Sequence, residues 1–210
     1  MTSPSQEAVV LVHGIGSISW SMIPLAWRLQ AAGYRVVNWG FPSWGRSIPQ
    51  HAERLTKIVE QLESDPSVTA IHFVGHSMGA IICRAVAVSR EWTKVRRLAL
   101  LAPPNRGVST ARRAAPLLAW FIPPVAELSD DPHSYVNQLP WPDRYETAVL
   151  TARYDSLVIE ETAHVPGERA FQCFGGIHSW LIFRSDVARA LICFLKTGTL
   201  KAAEESVDLS

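Results

Sequence analysis

Gly75-His76-Ser77-Met78-Gly79 is the segment whose residue types point most directly to chemistry. It follows the apolar run Ile71-His72-Phe73-Val74 and leads into Ser77 to Ser89, a mostly apolar stretch of helical character. Strand, tight turn and helix in that order give the pattern G-x-S-x-G its meaning. A chain reversing so sharply holds the serine in a strained backbone conformation. A Cβ at Gly75 or Gly79 would meet neighbouring backbone, so only small residues fit. The Ser77 hydroxyl is thereby expected to stand exposed at the end of a sheet. It also sits at a helix N-terminus, where free N–H groups favour developing negative charge. That is the setting of a nucleophile attacking a carbonyl carbon.

Such a nucleophile needs donors aimed at the oxygen of the tetrahedral intermediate, each contributing ~3–4 kcal/mol to lowering the barrier. The N–H of Met78, the residue after the nucleophile, is one candidate. The first apolar strand, Ala8 to Val12, ends in His13-Gly14-Ile15-Gly16. The two glycines allow the backbone to turn its amides inward, and the N–H of Ile15 is the second candidate. A plain exit turn is the competing reading of that segment. His13 is expected to orient the loop by a hydrogen bond rather than to titrate.

Seven histidines compete for the role of general base. In this architecture the acid and then the histidine follow the serine along the chain. That order disfavours His13, His51 and His72, and His76 adjoins the serine and is expected to point elsewhere. His133 falls in a proline-rich stretch and His164 in a polar loop. His178 follows the strand Ala170 to Phe174 and the pair Gly175-Gly176, beyond a strand's carboxyl end, and is the candidate base. Asp155 lies just past the strand Thr147 to Ala152. An ionised carboxylate there would hold the imidazole tautomer and stabilise the imidazolium. Asp130, Asp131 and Asp143 lie in irregular sequence, where carboxylates serve as solvated turn formers.

The elements that must position these groups alternate. Strands are expected at Ala8 to Val12, Tyr34 to Trp39, Val68 to Val74, Val95 to Leu101, Thr147 to Ala152 and Ala170 to Phe174. Helices are expected over Ser17 to Ala32, Pro49 to Ser64, Ser77 to Ser89 and Leu181 to Leu195. This implies parallel β-α-β units with helices on both faces, which suits strands that are apolar throughout. Residues 107–142 break the pattern with prolines and an apolar stretch, Pro116 to Val125. That stretch reads either as a small lid lining an acyl pocket or as a helix completing the core. Trp20, Trp120, Phe121 and Trp180 are the candidate pocket walls.

The chain's 210 residues suit one domain spanning 1–210, with a polar tail from about residue 198. With 48% hydrophobic residues it is not a disordered chain. Twenty Lys and Arg against 19 Asp and Glu argue against nucleic acid as a partner. Cys83, Cys173 and Cys193 match no disulfide or zinc spacing, so no metal is expected and a reducing compartment is. The first residues lack the basic and apolar regions of a signal peptide, and no run reaches the roughly 20 apolar residues of a membrane span. The expectation is a soluble, cytoplasmic protein without a transmembrane segment, its oligomeric state open.

Taken together, Leu11 to Gly16 (LVHGIG), Gly75 to Ala80 (GHSMGA), Leu100 to Gly107 (LLAPPNRG), Arg153 to Val158 (RYDSLV) and Gly175 to Trp180 (GGIHSW) resemble the α/β-hydrolase superfamily. More narrowly they are similar to small bacterial lipases and esterases, including the group related to GPI-inositol deacylases. The chain departs from many lipases in having Ala80 where they have glycine. The resemblance implies an α/β-hydrolase fold, a Ser77–His178–Asp155 triad, and hydrolysis of a small or lipid-like acyl ester without a cofactor. Thioesterase or acyltransferase chemistry on the same triad, and a catalytically silent binding protein, are the alternatives.

Overall fold

A computed structural model describes residues 6–200. Six strands build its sheet: β1 (Gln6–Val12), β2 (Arg35–Trp39), β3 (Val68–His76), β4 (Val95–Leu101), β5 (Glu146–Ala152) and β6 (Ala170–Phe174). They pair in the order β2-β1-β3-β4-β5-β6, and every pair is parallel. All six carboxyl ends therefore share one edge, where ligands of such sheets bind.

Side chains alternate across the pleat, so each strand feeds two cores. On one face Val10 and Val12 of β1 pack with Phe73 of β3 beneath α2 (Ile48–Ser64) and α3 (Met78–Ser89). On the other, Val9 and Leu11 pack with Val74 beneath α1 (Ile23–Ala31) and the last helix (Ser185–Thr197). This is why the strands are apolar without interruption.

Helix limits follow local chemistry. Ser47 caps α2: its hydroxyl accepts from the Gln50 amide and its own N–H donates to the Gln50 side chain. The helix expected over Ser17 to Ala32 is instead two pieces. A 3₁₀ turn (Ser19–Met22) comes first, and α1 starts at Ile23 with Pro24 in its opening turn, where a missing N–H costs nothing. The last helix likewise begins at Ser185 rather than Leu181, because His178–Phe183 forms a 3₁₀ turn. No helix among the described residues is long and apolar enough to cross a membrane.

The stretch between β4 and β5 holds three further helices, α4 (Ser109–Leu118), α5 (Pro124–Glu127) and α6 (Tyr135–Gln138). After β5 come α7 (Glu160–Ala163) and α8, the closing helix. α4 buries no residue. Its Ala111 packs partly buried against the core, while Leu117 and, just beyond the helix, Trp120 are 81% and 84% exposed.

What ties this region down is a buried cation. Arg84 of α3 is fully buried, and its guanidinium donates to the carbonyls of Pro140, Leu139 and Asn105 while lying 3.8 Å from the Trp141 ring centre. Burial lowers its pKa to about 10, which leaves it charged at neutral pH. Arg84→Met should strand the carbonyls of Leu139 and Pro140 and cost about 2–5 kcal/mol. Urea unfolding checks this, and a loss under 1 kcal/mol would mean that other contacts hold the 136–141 segment.

Candidate active site

The elbow closes as its glycines require. Ser77 has φ +54°, in the left-handed region that non-glycine residues avoid. Its amide donates to the Leu101 carbonyl at 2.8 Å, pinning the turn to the end of β4. A Cβ on Gly75 would lie 2.5 Å from the Ala80 Cα, and one on Gly79 would collide with the Val12 and His13 carbonyls. The bare Gly75 therefore lets the turn close on the start of α3, and the bare Gly79 lets it sit against the end of β1. The Ser77 hydroxyl has no hydrogen-bond partner among the described residues.

The loop after β1 packs directly on this turn. A Cβ added at Gly14 would fall 3.0 Å from that of Ser77. The Phe41 amide donates to His13 Nε2 at 3.3 Å, so Nδ1 carries the ring proton and donates to the Gly14 carbonyl at 2.9 Å. Phe41 also stacks on the His13 ring, 4.2 Å between centroids. Burial lowers the His13 pKa, which keeps the ring neutral in this role. Gly16 donates to Ser43 Oγ at 2.9 Å. The Ile15 amide is left without a partner among the described residues. The Met78 amide opens α3, ahead of any intrahelical acceptor.

Asp155 and His178 meet. The backbone of the β5 loop is stitched to the β6 loop by Arg153 N–H to the Phe174 carbonyl (2.8 Å) and Tyr154 N–H to the Gly176 carbonyl (3.0 Å). That brings Asp155 Oδ2 to accept from His178 Nδ1 at 2.6 Å, with both side chains largely buried. Asp155 Oδ1 accepts the amides of Leu157 and Val158, each at 2.9 Å. Burial alone would raise the Asp155 pKa. The hydrogen bonds from His178, Val158 and Leu157 outweigh it, and the carboxyl ends below the usual range. With Nδ1 protonated, His178 Nε2 is free to accept a proton.

A cleft of about 340 Å³ gathers these groups: Ser77, His178, Ile15 and Gly14 line it, with Leu157, Ile182 and Phe183 as apolar walls. Trp20, Trp120, Phe121 and Trp180 are not among its lining residues and stand largely exposed. His133 and His164 also lie outside it; the His164 ring pairs with Glu168 at 2.6 Å.

His76 is the residue that reasoning from chain order missed. It does not point away from the site. Its ring centre is 4.9 Å from that of His178, and Nε2 donates to the His178 carbonyl at 3.1 Å. The signal was available in the strand period: His76 shares a face of β3 with Val74, and that face packs on the layer containing Leu181 and Ile182.

Two buried histidines bear on acid stability. Burial, then the His178 charge, lowers the His76 pKa to about 4. Burial, then Arg54 and Arg46, lowers that of His51 to about 4, and neither His51 nitrogen has a partner among the described residues. In the unfolded chain both would titrate near 6.5. Between these values the unfolded state binds more protons, so stability is present at pH 6.5 and lost as pH falls toward 4. The loss should be on the order of 2 kcal/mol for each histidine between pH 6.5 and 4.5. Urea titrations at both pH values test this. His51→Leu should flatten the slope, and an unchanged slope would show that His51 is not one of its sources.

Comparison with known proteins places these observations in context. The sequence matches the family described as "Alpha/beta hydrolase family" over residues 9–199. A "Probable lysophospholipase BODYGUARD 1" of Arabidopsis thaliana is 31% identical over 141 residues, which is 58% of this chain and 29% of that protein. The chain thus spans less than a third of that relative's length. The lipase BlEst2 of Bacillus licheniformis in its mature form superposes with a TM-score of 0.74 at 16% identity, covering 95% of this chain and 94% of that one. An esterase of Pyrobaculum calidifontis gives 0.70 at 19% identity over 94% and 79%. A bromoperoxidase of Bacillus anthracis gives 0.65 at 16% identity over 92% and 93%. At such identities the superpositions speak for the fold alone. The narrower likeness to inositol deacylases has no counterpart among these matches.

Proposed function

The chain belongs to the alpha/beta hydrolase family, and from that premise we propose that it is a serine hydrolase cleaving carboxylic esters through an acyl-enzyme on Ser77. Ser77 Oγ attacks the acyl carbon while His178 Nε2 takes the hydroxyl proton. Asp155 holds the Nδ1–H tautomer and stabilises the imidazolium. The amides of Ile15 and Met78 bind the oxygen as it gains negative charge. On collapse, the C–O bond to the alcohol breaks and His178 returns its proton to the departing oxygen. Water, deprotonated by the same imidazole, then attacks the acyl-enzyme, releasing the acid and restoring Ser77. His76 steadies the backbone that carries the base.

The observation that carries this reading is the 2.6 Å bond from His178 Nδ1 to Asp155 in the same cleft as a strained, unpartnered serine. The names of the lysophospholipase, lipase and esterase relatives agree with an acyl ester as substrate. The apolar walls Leu157, Ile182 and Phe183 suit the acyl part. A fluorophosphonate probe should form one covalent adduct, found by mass spectrometry on the peptide containing Ser77. The same preparation should hydrolyse p-nitrophenyl butyrate faster than the matched thioester. An unlabelled Ser77 in folded protein removes the serine mechanism, and a preference for the thioester changes the substrate class.

A further inference from the structure

Fifteen large apolar or aromatic side chains are exposed among the described residues, and all but Trp27 lie in residues 13–22, 40–47, 106–121, 153–161 and 175–184. Each of these segments leaves the carboxyl end of a strand, so each lies at the edge of the sheet that carries Ser77. Ile15, Leu157 and Phe183 line the cleft itself. Farther out, Trp20, Trp44, Trp120 and Trp180 are each more than half exposed. The Trp44 turn is joined to the end of α4, where Gly45 N–H donates to the Phe121 carbonyl at 3.1 Å, and the Trp120 and Phe121 rings lie 4.3 Å apart.

Within these five segments positive charge predominates. The five segments hold six arginines, no lysine and three acidic residues, of which Asp155 is committed to His178. Arg112 and Arg184 pair with Asp130 and Asp186, while Arg46, Arg113 and Arg153 are exposed with no ion-pair partner among the described residues. The opposite edge is built differently. There Arg35 pairs with Asp65, Arg90 with Glu60 and Arg97 with Glu146, and none of the exposed large apolar side chains occurs.

We propose that the carboxyl edge of the sheet, led by α4 and the Trp120–Phe121 turn, seats on an anionic lipid–water surface. Tryptophan, phenylalanine and leucine with interspersed arginine are the composition that lies at the headgroup boundary, the rings among the acyl chains and the guanidinium groups at phosphate. An apolar face this extended on a protein otherwise laced with ion pairs marks an interaction site. The choice of lipid over a protein partner rests on the serine-hydrolase reading. The apolar segments flank the cleft, so a protein docked there would close it, whereas a lipid surface can present an acyl ester to it.

The test uses the Ser77→Ala protein, which binds without consuming the lipid, with sedimenting vesicles of phosphatidylcholine alone or mixed with phosphatidylglycerol. Binding to the anionic vesicles should be at least tenfold tighter, should weaken with salt, and should shift tryptophan emission to the blue. Adding Trp120→Ser and Phe121→Ser should reduce it tenfold or more with an unchanged thermal midpoint, whereas Trp27→Ser should leave it intact. Absence of vesicle binding, equal binding to both vesicles, or insensitivity to the paired substitution overturns the proposal. A concentration-dependent dimer dissolved by the paired substitution, without vesicle binding, overturns it in favour of a second copy of this chain. Failure of the esterase reading would appear separately, as lack of turnover of a soluble ester by the unmodified protein.

Discussion

Ser77→Ala is expected to lower kcat on a soluble ester by on the order of 10⁶, with KM changed by only a few fold. The size follows from what the hydroxyl does in the proposed reaction. It is the atom that bonds to the acyl carbon, and no second nucleophile stands in the cleft at that place. What remains should be a residual acceleration of roughly 10³–10⁴ over water, from binding and from the amides of Ile15 and Met78. The substitution should leave the fold intact, because the hydroxyl has no hydrogen-bond partner among the described residues. Alanine can occupy the same backbone well at φ +54° no worse than serine does. Kinetics and thermal unfolding on one preparation therefore separate lost chemistry from lost structure. A kcat within tenfold of the unmodified protein would remove Ser77 from the mechanism.

Much of the architecture was legible because its causes are local. Both faces of the sheet are covered, so the strands read as continuous apolar runs, and β4 spans the same residues in the sequence reading and in the structure. The elbow was legible because strand, turn and helix follow one another directly and a Cβ on Gly75 would meet Gly79 and Ala80, whereas the need for Gly79 comes from the distant Val12 and His13 carbonyls. Asp155 and His178 could be picked out because each follows a strand end at which parallel chains converge. The fold brings those two within 2.6 Å of each other, although 23 residues separate them in sequence.

What escaped the sequence depends on tertiary placement. His76 was set aside by its adjacency to the serine. Its contact with the His178 carbonyl depends on which side of β3 the last 3₁₀ turn closes. Trp120 and Phe121 read as pocket walls because the stretch Pro116 to Val125 is too apolar for an ordinary surface loop, and Trp20 and Trp180 because they closely follow the loop after β1 and His178. That composition fits an inner wall and an exposed outer face equally well, and only the packing of these residues separates the two. Arg84 carried no signal at all. A lone arginine in an apolar helix acquires its meaning from the carbonyls of residues 139 and 140, more than fifty positions away.

Asp155→Asn should lower kcat by roughly 10⁴, and the hydrogen-bond pattern says why a nearly isosteric change costs so much. Asp155 accepts on both oxygens: Oδ1 from the Leu157 and Val158 amides, Oδ2 from His178. An asparagine has only one acceptor oxygen. If that oxygen serves the two backbone amides, its NH₂ group faces His178 Nδ1. The imidazole then places its proton on Nε2, where it cannot take one from Ser77. If instead the oxygen serves His178, the NH₂ group faces two N–H donors across about 3 Å, a placement that leaves buried donors unsatisfied. The first arrangement is the cheaper, so the variant should fold, bind substrate and sit in the wrong tautomer. Because the native carboxyl titrates below the usual range, its stabilising effect is complete at neutral pH and fades only as pH falls through that lowered pKa. The variant should therefore be somewhat less stable at pH 7, and the difference should shrink in acid. Asp130→Asn and Asp143→Asn serve as controls and should change kcat less than twofold. A loss below tenfold in Asp155→Asn, with a large one in either control, would transfer the role of the acid to that residue.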